Sequence, residues 1–184
     1  MNTKSTHSTY IIKVVVLGEP GVGKTSLIRR YIHNKFAESY IYTIGCDFLT
    51  KDVVLKRGGK EISVTVQIWD IGGQSRFAPF KSMFYTGACG AIVVFDLTRQ
   101  DTLYQLKNWV EDLKKYAPKA DQALILIGNK SDLIHEREVT SDQTDDMVKK
   151  LNCHGAFETS AKTGFCVNEA FPAIVKQYLS VIKF

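Results

Sequence analysis

Gly18-Glu19-Pro20-Gly21-Val22-Gly23-Lys24-Thr25 fit the pattern G-x-x-x-x-G-K-S/T. The apolar run Ile11 to Leu17 precedes them and a helical segment, Thr25 to Asn34, follows. Strand, glycine loop and helix in that order make a cradle for phosphate. Gly21 and Gly23 let the backbone curl so that successive N–H groups point inward at phosphate oxygens. The helix start adds partial positive charge. Lys24 supplies a full charge, and the Thr25 hydroxyl is placed to ligate a phosphate-bound magnesium ion. The candidate phosphate ligands are Gly21, Val22, Gly23, Lys24, Thr25 and Ser26. A nucleoside diphosphate or triphosphate is the expected ligand.

The elements that must hold this loop are legible as alternating strands and helices. After the first strand and helix comes an extended run, Asp47 to Leu55, and then the turn Arg57-Gly58-Gly59-Lys60. A second extended run, Ile62 to Trp69, sets Ile62, Val64, Val66 and Ile68 on one face. The glycine turn between them predicts a hairpin, hence one antiparallel pair. Gly90 to Phe95 and Ala123 to Ile127 are continuously apolar, as central parallel strands covered on both faces should be. Between them Leu103, Leu106, Val110 and Leu113 recur at helical spacing, with Asp101 and Thr102 as starters and Pro118 beyond the end. Thr140-x-x-Gln143 reads as a capping box opening a helix toward Leu151. Ala156 to Thr159 reads as a last short strand, and Val167 to Ile182 as a closing helix with Ala170, Ile174 and Leu179 inward. These patterns predict one α/β domain over residues 10–184, with a mostly parallel sheet. The polar Met1 to Thr9 reads as a disordered tail, and it lacks the apolar stretch of a signal peptide.

Composition narrows the function classes. At 184 residues, 45% hydrophobic and 23% charged, the chain suits a single soluble domain. No apolar run is long enough for a membrane span. The net charge of +5 is spread along the chain, which argues against a nucleic-acid partner. Cys46, Cys89, Cys153 and Cys166 have no metal-ligand spacing and read as reduced thiols of a cytosolic protein.

Three further motifs stand at later strand ends, where ligands gather in open α/β sheets. Asp70-Ile71-Gly72-Gly73-Gln74 follows the strand ending at Trp69. There Asp70 can hold magnesium, often through water, Gly73 can offer its N–H to a terminal phosphate, and Gln74 can orient an attacking water. Asn129-Lys130-Ser131-Asp132 follows the strand ending at Gly128. A carboxylate at Asp132 can accept from guanine N1–H and its 2-amino group together. Adenine lacks both donors and would leave the carboxylate desolvated and unpaired. Ser160-Ala161-Lys162 follows the last strand, where the Ala161 N–H can meet guanine O6.

In this order and spacing the set resembles the Ras superfamily of small GTPases, and within it the Rab branch, from about Tyr10 to Leu179. Ile44-Gly45-Cys46-Asp47-Phe48, Phe84-Tyr85-Thr86-Gly87-Ala88 and Val94-Phe95-Asp96-Leu97-Thr98 look like the Rab patterns I-G-V-D-F, Y-Y-R-G-A and L-V-Y-D-I-T. The resemblance implies a phosphate-loop NTPase fold: a three-layer α/β sandwich whose six-stranded, mostly parallel sheet has one antiparallel edge strand and helices on both faces. It implies a switch that binds GTP or GDP with Mg²⁺ and slowly hydrolyses GTP, with Gln74, Lys24 and Thr43 in the catalytic step. Thr43 would join Thr25 and Asp70 at the metal. Phe36 would pack on the guanine, Tyr40 would close over the phosphates, and Lys130 would lay its stem along the base. A core phenylalanine and a surface tyrosine are the plainer alternatives for Phe36 and Tyr40. Ser160, Ala161 and Lys162 would complete the base pocket. An exchange factor, a GTPase-activating protein and effectors would read segments near 36–48 and 72–85. The protein would act as a cytoplasmic monomer, reaching membranes only through a lipidated tail.

Departures from the pattern are specific. Rabs usually read W-D-T-A-G-Q-E where this chain has Trp69-Asp70-Ile71-Gly72-Gly73-Gln74-Ser75, and the double glycine should loosen the backbone presenting Gln74. Pro20 stands where relatives mostly carry glycine, serine or alanine, near the terminal phosphate, and should alter docking of an activating protein. Rabs usually finish with one or two prenylated cysteines, whereas no cysteine follows Cys166 here: either a tail is missing from these residues or the protein does not anchor by prenylation. Two rival readings are a GTP-binding scaffold with negligible hydrolysis and a nucleoside-kinase-type phosphotransferase. The second would need an Arg-rich lid that the sequence does not show.

Overall fold

In the computed structural model, which describes residues 8–37, 43–57, 60–73, 79–120 and 123–182, strand β1 (Ser8–Leu17) forms the spine of the sheet. Its side chains alternate in direction. Ile12, Val14 and Val16 enter one apolar layer, while Val15 and Leu17 enter the other. β1 begins at Ser8, which pairs with Ile62, so Ser8 and Thr9 belong to the strand rather than to the expected tail.

The remaining elements follow in strict alternation after one hairpin. They are α1 (Lys24–His33), β2 (Cys46–Arg57), β3 (Lys60–Ile71), α2 (Lys81–Tyr85), β4 (Gly90–Asp96), α3 (Gln100–Tyr116), β5 (Leu124–Asn129), α4 (Ser141–Leu151), β6 (Ala156–Thr159) and α5 (Val167–Val181). The sheet has six strands in the order β2-β3-β1-β4-β5-β6. β2 runs antiparallel to β3 at one edge, and the other pairings are parallel. Arg57 pairs with Lys60, as the glycine turn predicts, while Gly58 and Gly59 lie outside the described residues.

Helices cover both faces. α1 and α5 close one layer with Leu27, Ile28, Ala170, Phe171 and Ile174. α2, α3 and α4 close the other with Phe84, Leu103, Leu106, Leu113 and Met147. β4 and β5 are buried along their whole lengths, which explains their uninterrupted apolar sequence. Fully burying each α3 leucine contributes about 2 kcal/mol, several times the spread of helix propensities.

Two local expectations need correction. α3 starts at Gln100, so Asp101 and Thr102 lie inside its first turn. Thr102 is buried because its hydroxyl accepts from the Asp96 N–H at 3.0 Å and donates to the Arg99 carbonyl at 2.7 Å. β3 also runs past Trp69 through Asp70 to Ile71, since both residues still pair with β2. The capping box of α4 is present on both sides: Gln143 N–H donates to Thr140 Oγ1 at 3.3 Å, and Thr140 N–H to Gln143 Oε1 at 2.9 Å.

Candidate functional site

The chain crosses to the far side of β1 between β3 and β4, and the loops after β1, β3, β4, β5 and β6 all leave the same edge of the parallel sheet. The glycine loop stands at the centre of that edge. Gly23 caps α1 at φ 97, and a Cβ there would lie 2.3 Å from Asn129 Nδ2. α1 opens with no side-chain cap and no acid in its first turn, whereas α3, α4 and α5 each carry one. Its leading N–H groups therefore keep their partial positive charge for an anion.

Lys24 is 6% exposed and donates to the carbonyls of Gly18 at 2.7 Å and Glu19 at 3.0 Å. Burial pulls its pKa down to about 8, against the opposing pull of Asp70 and Glu19. An ammonium has three donors, so one is left for a ligand.

Beside it three oxygens converge. Thr25 Oγ1 lies 2.7 Å from Thr43 Oγ1, Thr43 Oγ1 donates to Asp70 Oδ2 at 3.1 Å, and Thr25 Oγ1 donates to the same carboxylate oxygen. Asp70 is 1% exposed, and burial raises the pKa of its carboxyl. Its second oxygen, Oδ1, is buried without a hydrogen-bond partner. Neighbouring ligands of an octahedral magnesium bound at ~2.1 Å stand ~3 Å apart, so this all-oxygen set has the chemistry and the spacing for that ion. Among the described residues no cluster of His, Cys, Asp and Glu offers an alternative metal site.

The loops after β5 and β6 are joined to the glycine loop by Asn129. Its Nδ2 donates to the Val22 carbonyl at 2.9 Å, and its Oδ1 accepts from the Ala161 N–H at 3.1 Å and Thr159 Oγ1 at 3.3 Å. One side chain thus ties the phosphate loop to the loop after β6. The Ala161 N–H, expected to meet guanine O6, donates to Asn129 in this arrangement. Lys130 sits at φ 70, and its Nζ is 2.5 Å from the buried carboxylate of Asp96. Asp132 Oδ1 accepts from Ser160 Oγ at 2.6 Å. Ser160 Oγ in turn accepts from the Thr163 N–H at 3.0 Å.

Arg30 had no motif to announce it. It reaches from α1 to the loop after β6, donating to the carbonyls of Ala161 at 2.8 Å and Lys162 at 2.6 Å. Only the meeting of segments 131 positions apart reveals it.

The segments before β2 and after β3 are partly described. Phe36 is 37% exposed, so its ring is not a core residue. Tyr40 and Gln74 lie outside the described residues. The glycine pair is held more closely than a loose segment would be. The buried Gly72 donates its N–H to the Gly45 carbonyl at 2.9 Å. A Cβ on Gly73 would stand 2.7 Å from Pro20 N, 2.8 Å from the Gly18 carbonyl oxygen and 2.9 Å from the Glu19 carbonyl carbon. Only glycine lets the segment lie against the phosphate loop this way.

Fold and site together are those of a small GTPase, and residues 13–180 match the Ras family. The chain belongs to that family, in which it is Rab-like: a guanine-nucleotide switch that hydrolyses GTP and regulates membrane traffic. It is 38% identical to Ras-related protein Rab-27B of Rattus norvegicus, over 90% of this chain and 78% of the relative. It is 36% identical to Ras-related protein RabC of Dictyostelium discoideum, over 94% and 86% respectively. It is 32% identical to GTP-binding protein ypt4 of Schizosaccharomyces pombe, over 95% and 74%.

Proposed function

We propose that this edge of the sheet binds GTP or GDP with Mg²⁺ through the residues named above, and that Gln74 sets the attacking water. The observation that carries the reading is the convergence of Lys24, the Thr25–Thr43–Asp70 oxygens and the Asn129–Lys130–Asp132 pocket on one edge. The N–H groups of Gly21 to Ser26 and the Lys24 ammonium hold the β- and γ-phosphates. Thr25, Thr43 and Asp70 would hold the metal, which would supply positive charge against the phosphates. Asp132 fixes the base, with Ser160 aligning its carboxylate and Lys130 flanking the ring. Ala161 and Lys162 close the pocket under the hold of Arg30, and Phe36 and Tyr40 cover the nucleotide. Catalysis is then positioning and charge stabilisation rather than covalent chemistry.

The switch follows from the same contacts. Thr43 touches the metal oxygens, and Gly73 lies against the phosphate loop, so both segments sense the terminal phosphate. Losing that phosphate removes what Thr43 and Gly73 bind, and the two segments relax. Partners that read the GTP state meet exposed apolar side chains there: Ile44 and Phe48 from one segment, Phe80 and Met83 from the other. Phe48 stacks on Trp69 with ring centroids 5.7 Å apart, which makes part of this surface rigid. Exchange factors, activating proteins and effectors are the partner classes. We place the protein as a monomer in the cytoplasm, peripheral on the cytosolic face of membranes if a longer native tail is prenylated. Among the described residues no helix is long and apolar enough to cross a membrane.

Hydrogen exchange tests the switch. With a non-hydrolysable GTP analogue and magnesium, amides of residues 39–47 and 72–85 are expected to exchange at least about tenfold more slowly than with GDP. Equal exchange in the two states would overturn the switching role of these segments.

A further inference from the structure

All three guanidinium nitrogens of Arg30, in the last turn of α1, donate to neutral oxygens. Nε and Nη2 take two successive carbonyls of the loop after β6, those of Ala161 at 2.8 Å and Lys162 at 2.6 Å. Nη1 turns the other way, to the Asn34 carbonyl at 3.1 Å and Asn34 Oδ1 at 3.2 Å. One rigid fork thus spans a loop and the residue that caps α1. The stem passes close to the same loop, since a Cβ on Gly164 would lie 3.6 Å from Arg30 Cδ.

Both ends of this clasp belong to the walls of the base pocket. The loop is closed on itself by Gly164 N–H donating to the Ser160 carbonyl at 2.8 Å and by Thr163 N–H donating to Ser160 Oγ at 3.0 Å. Asn129 Oδ1 ties it to β5 through the Ala161 N–H at 3.1 Å. Arg30 ties it to α1. At the other end Asn34 sits in the left-handed region at φ 53, and its N–H donates to the Arg30 carbonyl at 3.0 Å. Backbone and side chain of one arginine therefore fix the point where the chain leaves α1. Phe36 follows two residues later.

We propose that Arg30 is a positioning residue that couples the two walls of the base pocket, and so sets how long a guanine nucleotide stays bound. The proposal rests on the nucleotide-binding reading above. While the guanidinium holds, the Ala161–Lys162 loop and the chain leading to Phe36 must open together. Without it either wall opens alone, and the base escapes past whichever moves first.

The test is release of a fluorescent GDP, chased with excess unlabelled GDP in magnesium, from the native chain, Arg30→Met, Arg30→Lys, Phe36→Ala and the Arg30→Met/Phe36→Ala double variant. Couplings between sites typically amount to about 5–150-fold, so Arg30→Met is expected to release GDP about tenfold faster than native. Arg30→Lys keeps a cationic donor and should fall between the two, since one ammonium cannot span both partners as the fork does. In the Phe36→Ala background one wall is already gone, so Arg30→Met should add no more than about threefold. An arginine that only steadied the loop after β6 would give single factors that multiply in the double variant, and that result overturns the proposal. So does release from Arg30→Met within about twofold of native, or Arg30→Lys releasing as fast as Arg30→Met. A native chain that fails to retain the fluorescent GDP sinks the nucleotide-binding reading itself, a result visible before any variant is compared.

Discussion

Asp132→Ala is expected to weaken GTP binding by about 100-fold to 10,000-fold while ATP binding stays level or improves. One Asp132 oxygen is fixed by Ser160 Oγ at 2.6 Å, so on the proposed reading the other would meet the base with little freedom left to lose. Two charge-assisted hydrogen bonds, to N1–H and the 2-amino group, are worth about 1.5–3 kcal/mol each. Alanine removes both. Adenine gains, because it no longer strands a desolvated carboxylate. The GTP-to-ATP preference, of order 10⁴ for a site built around such a pair, should collapse to within about tenfold. Competition of each nucleotide against a fluorescent guanine nucleotide measures the ratio. An unchanged ratio would remove Asp132 from the specificity account.

Lys24→Met is expected to cost at least about 100-fold in affinity for GTP and GDP alike. The variant loses a cation beside the phosphates and strands the Gly18 and Glu19 carbonyls that the ammonium satisfies at 2.7 and 3.0 Å. Each unsatisfied buried acceptor costs about 1–3 kcal/mol. The same residue gives the native chain a pH signature. Burial sets the Lys24 pKa at about 8 in the empty site, below its unfolded value of 10.5. Between those values the unfolded chain binds more protons, so stability of the empty protein rises with pH across that window. An anionic nucleotide favours the protonated amine, so binding above pH 8 takes up a proton and affinity falls, by at most about tenfold per pH unit. Titrations from pH 7 to 9 should show that fall in the native chain and not in Lys24→Met. A pH-independent native affinity contradicts the lowered pKa of Lys24 in the empty site.

Features that depend on neighbours in the chain were legible before the fold was known. The phosphate loop needs its glycines, lysine and threonine within eight positions; in the structure Lys24 donates to the Gly18 carbonyl and Thr25 Oγ1 lies beside Thr43 Oγ1. The α4 capping box spans three residues and is present atom for atom. Continuous apolar runs marked β4 and β5 because burial on both faces removes alternation. Long-range contacts left no such trace. Arg30 and Arg99 act on carbonyls 131 and 79 positions away, and a carbonyl has no sequence identity to recognise. The start of α3 was misplaced because Thr102 looks like a cap, yet its hydroxyl is spent bridging Asp96 and Arg99. The glycine pair reads as loose in sequence because freedom is what glycine shows locally. Its close approach to Pro20 exists only once β1 and β3 lie side by side.

Single-turnover hydrolysis of GTP with magnesium, comparing the native chain with Gln74→Leu, tests the central claim most directly. Ras itself, unaided, runs on the order of 10⁻⁴ per second. We expect a native rate within about tenfold of that, a drop of at least about tenfold in the variant, and GTP affinity unchanged in both. GTP held tightly by both chains and hydrolysed by neither would contradict the account, leaving a nucleotide-dependent scaffold without a timer.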